Sequence, residues 1–339
     1  MKAVALTRYL PTYHPESLID MKLPTPTPGP RDLLVRVEAI AVNPVDTKVR
    51  APKDKIEPEP RILGWDAAGT VVGVGSEVSL FQVGDAVYYA GDLTRQGCNS
   101  EFQVVDERIV GHKPKSLTPG GAAALPLTAI TAWECLFDRM MVKMPPQPEY
   151  RQTILIIGGA GGVGSIAIQL AAKVAGLHVI ATASRPESTA WCREFGAHEV
   201  VNHHQNLVSQ VQALGHEFVN YVLILNDTEQ HAAAAMQLVA PQGAICSIVE
   251  TTKPLDIAPL KNKSARFCWE MMFTRSMYKT DDMIQQHYLL NEVAKLVDQG
   301  VLRTTVNQTL QPINAANVRQ AHVQLEAGHT IGKIVLEGF

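Results

Sequence analysis

The residues Gly158-Gly159-Ala160-Gly161-Gly162-Val163-Gly164 carry a GxGxxG pattern at Gly159, Gly161 and Gly164. Glycines at that spacing answer three needs: a tight turn, close approach of the backbone to a pyrophosphate, and close packing of the next helix on the preceding strand. A helix starting there offers unpaired N–H groups and partial positive charge to phosphates. The pattern alone is weak, but its surroundings complete it. Thr153–Ile157 is a short, mostly β-branched apolar run that suits a buried parallel strand. Ser165–Ala175 can line one helical face with Ile166, Ile168, Leu170, Ala171 and Val174, and Leu177–Ala183 reads as a second strand. No Lys-Ser or Lys-Thr follows the glycines, which excludes a Walker loop. The chemistry indicated is dinucleotide binding.

The end of the second strand bears on which dinucleotide. An NAD site wants an acid about 20 residues beyond the glycines for the ribose 2′-OH. Val179–Ser184 contains none; Ser184-Arg185 follows instead. An Arg there pairs with a 2′-phosphate, which favours NADPH over NADH. The alternative is that Arg185 is a solvated loop residue.

These residues must be positioned by a chain of 339 residues, long enough for two domains. It is 46% hydrophobic and 19% charged with a net charge of −3, so nothing points to nucleic acid or to an anionic membrane. Five scattered cysteines without a CxxC read as reduced thiols, which suits the cytoplasm. The N-terminus is too short in apolar residues for a signal peptide. The uncharged stretch Thr153–Ala172 has the length of a membrane span, but strand, glycine turn and helix account for it better.

Short strands with Gly/Pro turns fill the first third: Met1–Arg8, Leu18–Leu23, Asp32–Val42, Gly69–Val74, Val87–Tyr89, Glu101–Val105 and Arg108–Lys113. Ala51–Pro60, rich in proline and charge, reads as an exposed loop. Thr128–Asp138 reads as a helix, and Met144–Pro148 as a linker-like loop. From Thr153 strands and helices alternate as in a doubly wound parallel sheet. Ser264–Phe273 suits its edge strand, and Asp281–Gln299 a long amphipathic helix. A strand near Leu302–Val306, a helix near Ala315–Ala327 and a last strand Lys333–Leu336 are expected to return to the first domain.

The segments Asn43-Pro44-Val45-Asp46, Gly64-Trp65-Asp66-Ala67-Ala68-Gly69, Val83-Gly84-Asp85-Ala86-Val87, the glycine turn and Gly332-Lys333-Ile334-Val335-Leu336 resemble the medium-chain dehydrogenase/reductase superfamily over nearly the whole chain. More closely they resemble its zinc-free quinone oxidoreductase branch. The resemblance implies an α/β protein with a GroES-like catalytic domain (1–125 and 300–339), a Rossmann NADPH-binding domain (126–299) and an active site in the cleft between them. It also implies cofactor contacts at Gly159, Gly161, Gly162, Val163, Gly164, Ser184, Arg185, His203, Asn226, Val249 and Lys333. Asn43, Asp46 and Thr128 are expected around nicotinamide and substrate. Asn43 and Asp46 equally suit caps of the Asn-Pro turn, Thr128 a helix N-cap, and His203 a surface loop.

Zinc alcohol dehydrogenases carry a catalytic Cys after the early strand and a GHE motif. Here the first segment has no Cys, and Trp65 stands where the His would be; an indole N–H only donates. Asp46 and Asp66 remain as carboxylates that could hold a weak metal. Without a Lewis acid, hydride transfer suits an electron-poor acceptor, a quinone or the β-carbon of an enone. The expected partners are therefore that small molecule and a second copy of the chain paired through the edge strand near 264–273. Two rival readings stay open: a zinc-dependent alcohol dehydrogenase with unusual ligands, and a non-catalytic NADPH-binding protein.

Overall fold

The computed structural model of the chain describes residues 1–143 and 152–339. Met144–Pro148, read as a linker, lies outside the described residues. The chain divides into two compact units: residues 1–130 with 273–339, and residues 131–272.

The first unit is built on two sheets. In the smaller, Lys2–Tyr9 lies between Ile19–Lys22 and Lys53–Ile62, antiparallel to both. The expected loop Ala51–Pro60 is thus largely strand. Its Pro58 and Pro60 are tolerated because the strand is outermost and keeps one unpaired side. In the larger sheet the order is Val306–Leu310, Lys333–Glu337, Asp32–Ala41, Ala67–Val74, Ala86–Tyr89 and Val110–His112, with Phe102–Asp106 also paired to Asp32–Ala41. The last strand of the chain therefore returns to this unit, with Leu336 opposite Ile40. The strand expected near Leu302–Val306 lies further on, at Val306–Leu310.

Residues 273–299, assigned from sequence to the nucleotide domain, sit in the first unit instead. The helix Gln285–Asp298 is tied there by polar contacts that no periodicity reveals. Tyr88 Oη donates to the Leu290 carbonyl, the His112 N–H donates to Asn291 Oδ1 at 2.9 Å, and His287 Nδ1 meets the Val110 carbonyl at 2.7 Å.

The second unit is the expected doubly wound sheet. Its strands are all parallel, in the order Glu199–Val201, His178–Thr182, Thr153–Ile157, Val219–Ile224, Val239–Ser247 and Arg266–Trp269. Leu155, Ile157, Ile180, Val222, Ile224 and Ile245 are buried in one core cluster. The helix after the glycines is Gly162–Gln169, starting three residues before the sequence suggested, because the glycines themselves form its first turn. Among the described residues, Pro119–Arg139 is long and apolar enough to cross a membrane by composition, yet 83% of its apolar window is buried in the protein. It reads as a core helix.

The glycines of the turn are not equivalent. A Cβ on Gly164 would fall 2.5 Å from the Gly159 carbonyl oxygen and closer still to that of Gly158. A Cβ on Gly161 would meet nothing nearer than 3.5 Å. Gly164→Ala should therefore cost about 1–3 kcal/mol of stability through overpacking, read as a lower urea midpoint. Gly161→Ala should leave that midpoint unchanged.

Candidate functional site

Two groups of polar residues carry chemistry, one in each unit. In the first unit, strand Asp32–Ala41 runs out through Val42 and Asn43 into the helix Pro44–Arg50. Asp46, at the third helical position, accepts the Asn43 N–H through Oδ2 at 2.8 Å, satisfying a donor that the helix start leaves open. Arg50 closes the other end of the helix. It is 1% exposed, donates to the Leu10 carbonyl at 2.6 Å, and meets Thr12 and Glu326.

Asn43 is committed on both sides of its amide. Nδ2 donates to Asp66 Oδ2 at 2.8 Å and to the Ala41 carbonyl at 3.3 Å, while Oδ1 accepts from Lys333. Lys333, at the start of the last strand, directs its ammonium at three oxygens: Val42 O at 2.8 Å, Asp66 Oδ2 at 3.0 Å, and Asn43 Oδ1. An ammonium has three donors, so all are spent inside this cluster. The other Asp66 oxygen accepts the Leu127 N–H at 2.8 Å. Asp46, Asp66, Asn43 and Lys333 are 0, 0, 1 and 3% exposed.

Burial dominates the acids. It pushes the Asp46 carboxyl up to about 7, against the Asn43 N–H and the Lys333 charge, with the Asp66 charge adding to the rise. Burial also raises Asp66, opposed first by Lys333 and then by the Asn43 amide. Asp46 Oδ1 is buried without a hydrogen-bond partner. A carboxyl in its acid form leaves a weaker desolvation cost there than a carboxylate.

Thr128 is buried within the helix Pro126–Trp133 and is not its N-cap. Its hydroxyl is directed back to the carbonyls of Leu125 at 3.0 Å and Ala124 at 3.3 Å. Trp65 is fully buried, its ring edge-on to Phe273, and its indole N–H donates to the Asp92 carbonyl at 3.2 Å. Tyr88 is likewise core.

In the second unit the glycine turn is held from below by Thr182, whose Oγ1 accepts the Gly158 N–H at 3.0 Å and whose carbonyl accepts the Gly159 N–H at 3.2 Å. Gly161 is the N-cap of the helix Gly162–Gln169, and no side chain caps it. The first-turn N–H groups at Gly162, Val163 and Gly164 are thus presented at the carboxyl edge of the sheet, where such sheets bind ligands. Asn226 reaches the same turn: its Oδ1 would lie 3.4 Å from a Cβ on Gly158. Val249 is pinned at its carbonyl by Thr228 Oγ1, which also bonds Ser247 Oγ. Ser184 and Arg185 follow strand His178–Thr182, with Arg185 as N-cap of the next helix and its Nε 3.3 Å from Glu187 Oε1. His203 Nδ1 is buried without a hydrogen-bond partner, and burial lowers the imidazole's pKa.

Two family models match the chain: an alcohol dehydrogenase GroES-like domain over residues 29–136 and a zinc-binding dehydrogenase domain over residues 195–336. A zinc-type alcohol dehydrogenase-like protein of Staphylococcus aureus is 42% identical over 92% of each chain. The chain belongs to the medium-chain dehydrogenase/reductase superfamily. A putative zinc-dependent alcohol dehydrogenase protein from Rhizobium etli has a solved structure similar to this one at 50% identity and a TM-score of 0.95, covering 100% of this chain and 98% of that one. The quinone oxidoreductase from Coxiella burnetii is similar at 27% identity and a TM-score of 0.80, covering 100% and 99%. This member is accordingly an NAD(P)-dependent oxidoreductase with a GroES-like domain and a Rossmann domain.

The names of those relatives raise the question of zinc. Zinc prefers thiolate and imidazole. The segment Asn43–Asp46 holds no Cys, and Asn43 and Trp65 are both engaged in hydrogen bonds. Both Asp66 oxygens are taken. Cys98 lies nearby, but burial pushes its thiol far above its ordinary value, and its Sγ points to the Asp66 carbonyl at 3.3 Å. Among the described residues no group of three His, Cys, Asp or Glu side chains is arranged to hold a metal. These residues do not fit a zinc centre.

Sequence reasoning passed over Thr182, Thr228 and Ser247, whose hydroxyls fix the nucleotide edge; each sits at the end of a strand or start of a helix, where that signal was available. The Lys333–Asp66 pair had no local signal, since 267 residues separate the partners.

The Asp46 carboxyl also sets a pH slope. Below about pH 4 folded and unfolded chains both hold its proton. Between there and about 7 only the folded chain does, so stability falls as pH rises through that window and stays reduced above it. The full effect is about 4 kcal/mol at most. Urea unfolding at pH 5 and pH 8 should therefore show a smaller loss for Asp46→Asn than for the wild type; an equal loss would mean that Asp46 is ionised throughout.

Proposed function

We propose that the chain is an NADPH-dependent, metal-independent reductase of quinones or α,β-unsaturated carbonyls. The observation that carries this is the donor set: no Cys in the segment Asn43–Asp46, and Trp65 in place of a His with its indole N–H already committed to the Asp92 carbonyl. With no metal to polarise a simple ketone, the acceptor itself must be electron-poor. The likeness to a quinone oxidoreductase points the same way.

When bound, a reduced nicotinamide supplies hydride. The chain's own residues do the rest. Gly162, Val163 and Gly164 offer N–H groups to the pyrophosphate. Arg185 offers its guanidinium to a 2′-phosphate, exchanging the exposed Glu187 for a dianion. Asn226 and Val249 border the carboxyl edge of the sheet. Asn43 and Lys333 fix Asp66, and Asp46, whose carboxyl burial pushes up to about 7, accepts the Asn43 N–H beside them. Thr128 follows Leu127, whose N–H holds Asp66, and its own hydroxyl proton goes to the Leu125 and Ala124 carbonyls.

We further infer a homodimer through the strand Arg266–Trp269. It is the last of its sheet, and Trp269 and Met271 are 47% and 46% exposed beside it. Open strand edges of this kind are normally covered. Light scattering that gives the mass of one chain removes this inference. The five cysteines are all thiols, consistent with a cytoplasmic setting.

Steady NADPH oxidation with 9,10-phenanthrenequinone or 1,4-benzoquinone, unaffected by chelators, is the expected result. NADPH binding without turnover of quinones, enones or aldehydes would favour the non-catalytic reading. Arg185→Ala should raise the KM for NADPH roughly 10- to 100-fold, the worth of a charge-assisted hydrogen bond, and leave that for NADH nearly unchanged. Equal effects on both coenzymes would remove Arg185 from the phosphate.

A further inference from the structure

Lys333 was expected at the cofactor, yet its ammonium is turned inward and saturated. The three oxygens it meets, Val42 O, Asn43 Oδ1 and Asp66 Oδ2, converge on its Nζ in a fully buried cluster. That set is a carboxylate, an amide carbonyl and a backbone carbonyl, all hard oxygen donors. It is the donor chemistry of a calcium or manganese ion rather than of zinc. We propose that Lys333 is a built-in cation: its ammonium takes the place of a metal ion in the first unit, positions Asn43 and Asp66 through that charge, and excludes divalent cations from the oxygens it occupies.

The geometry explains why the substitution is self-consistent. An ammonium carries three N–H donors and one charge, and here three acceptors and a fully buried carboxylate meet it. Removing the side chain would leave three oxygens and one negative charge facing an emptied volume. Lys333 is on this view a positioning residue, acting through Asn43 and Asp66. The proposal rests on the metal-independent half of the functional reading. Its test uses neither substrate nor dinucleotide, so a failed quinone assay leaves it standing and its own failure leaves the acceptor chemistry open.

The test is divalent-ion binding to the full chain. Wild type should take up less than one tenth of an equivalent of Mn2+ or Ca2+ after gel filtration, and its melting temperature should not respond to either ion. Lys333→Met should bind about one equivalent of Mn2+ per chain by electron paramagnetic resonance, with a melting temperature raised by Ca2+. Lys333→Met combined with Asp66→Asn should lose that binding. Lys333→Arg, which keeps the charge, should stay ion-free. If Lys333→Met is recovered only as aggregate, Ca2+ during refolding or the added Asp66→Asn should restore a native melt. Stoichiometric metal in the wild type, a folded Lys333→Met that ignores both ions, or failure of both restorations would overturn the proposal.

Discussion

The first unit depends on one buried charge pair. Lys333 starts the last strand of the larger sheet and Asp66 immediately precedes its strand Ala67–Val74; separated in sequence by most of the chain, they meet at 3.0 Å, both almost fully buried. Such a pair gives little net stability, since desolvation offsets its attraction, but losing one partner leaves an uncompensated buried charge at a cost of about 3–5 kcal/mol. It therefore specifies the arrangement more than it stabilises it. The final strand must return to Asp32–Ala41, Asn43 must face Asp66, and Leu127 must present its N–H, because each satisfies an atom that would otherwise be buried alone.

Around that pair the polar groups are graded by how fully they are satisfied. Asn43, Asp66 and Lys333 have their hydrogen-bonding capacity engaged. Asp46 is the exception, with one oxygen paired and one orphaned. Burial raises both carboxyls, opposed at Asp46 by the Asn43 N–H and the Lys333 charge and at Asp66 first by the Lys333 charge. The nucleotide edge of the second unit uses neutral groups instead. Thr182, Thr228 and Ser247 spend hydroxyls on the backbone, and the charge available to phosphates comes from a helix start and from Arg185. One unit is thus organised by compensated charge and the other by backbone N–H groups.

Much of the fold was legible because it is local. The βαβ unit from Thr153 to Thr182 shows itself through β-branched runs, glycines and helical periodicity, all within reach of one another along the chain. The boundary near Phe273 was not legible. The helix Gln285–Asp298 has the same amphipathic pattern whichever unit it packs on, and the contacts of Tyr88, His112 and His287 that decide the matter are long-range. The strand Lys53–Ile62 was hidden by its prolines, which an outermost strand accommodates and an inner one does not.

By itself the sequence determined the chemistry that depends on residue type: glycines that admit a pyrophosphate, Arg185 and no acid in Val179–Ser184, no Cys in Asn43–Asp46, and Trp65 in place of a His. Only the tertiary structure decided what each polar group is free to do. It turned Lys333 inward, spent the Thr128 hydroxyl on its own helix, and left one Asp46 oxygen without a partner. The reason is that hydrogen-bond satisfaction and desolvation are properties of an enclosed volume, and residues brought together from distant parts of the chain define that volume only once it has folded.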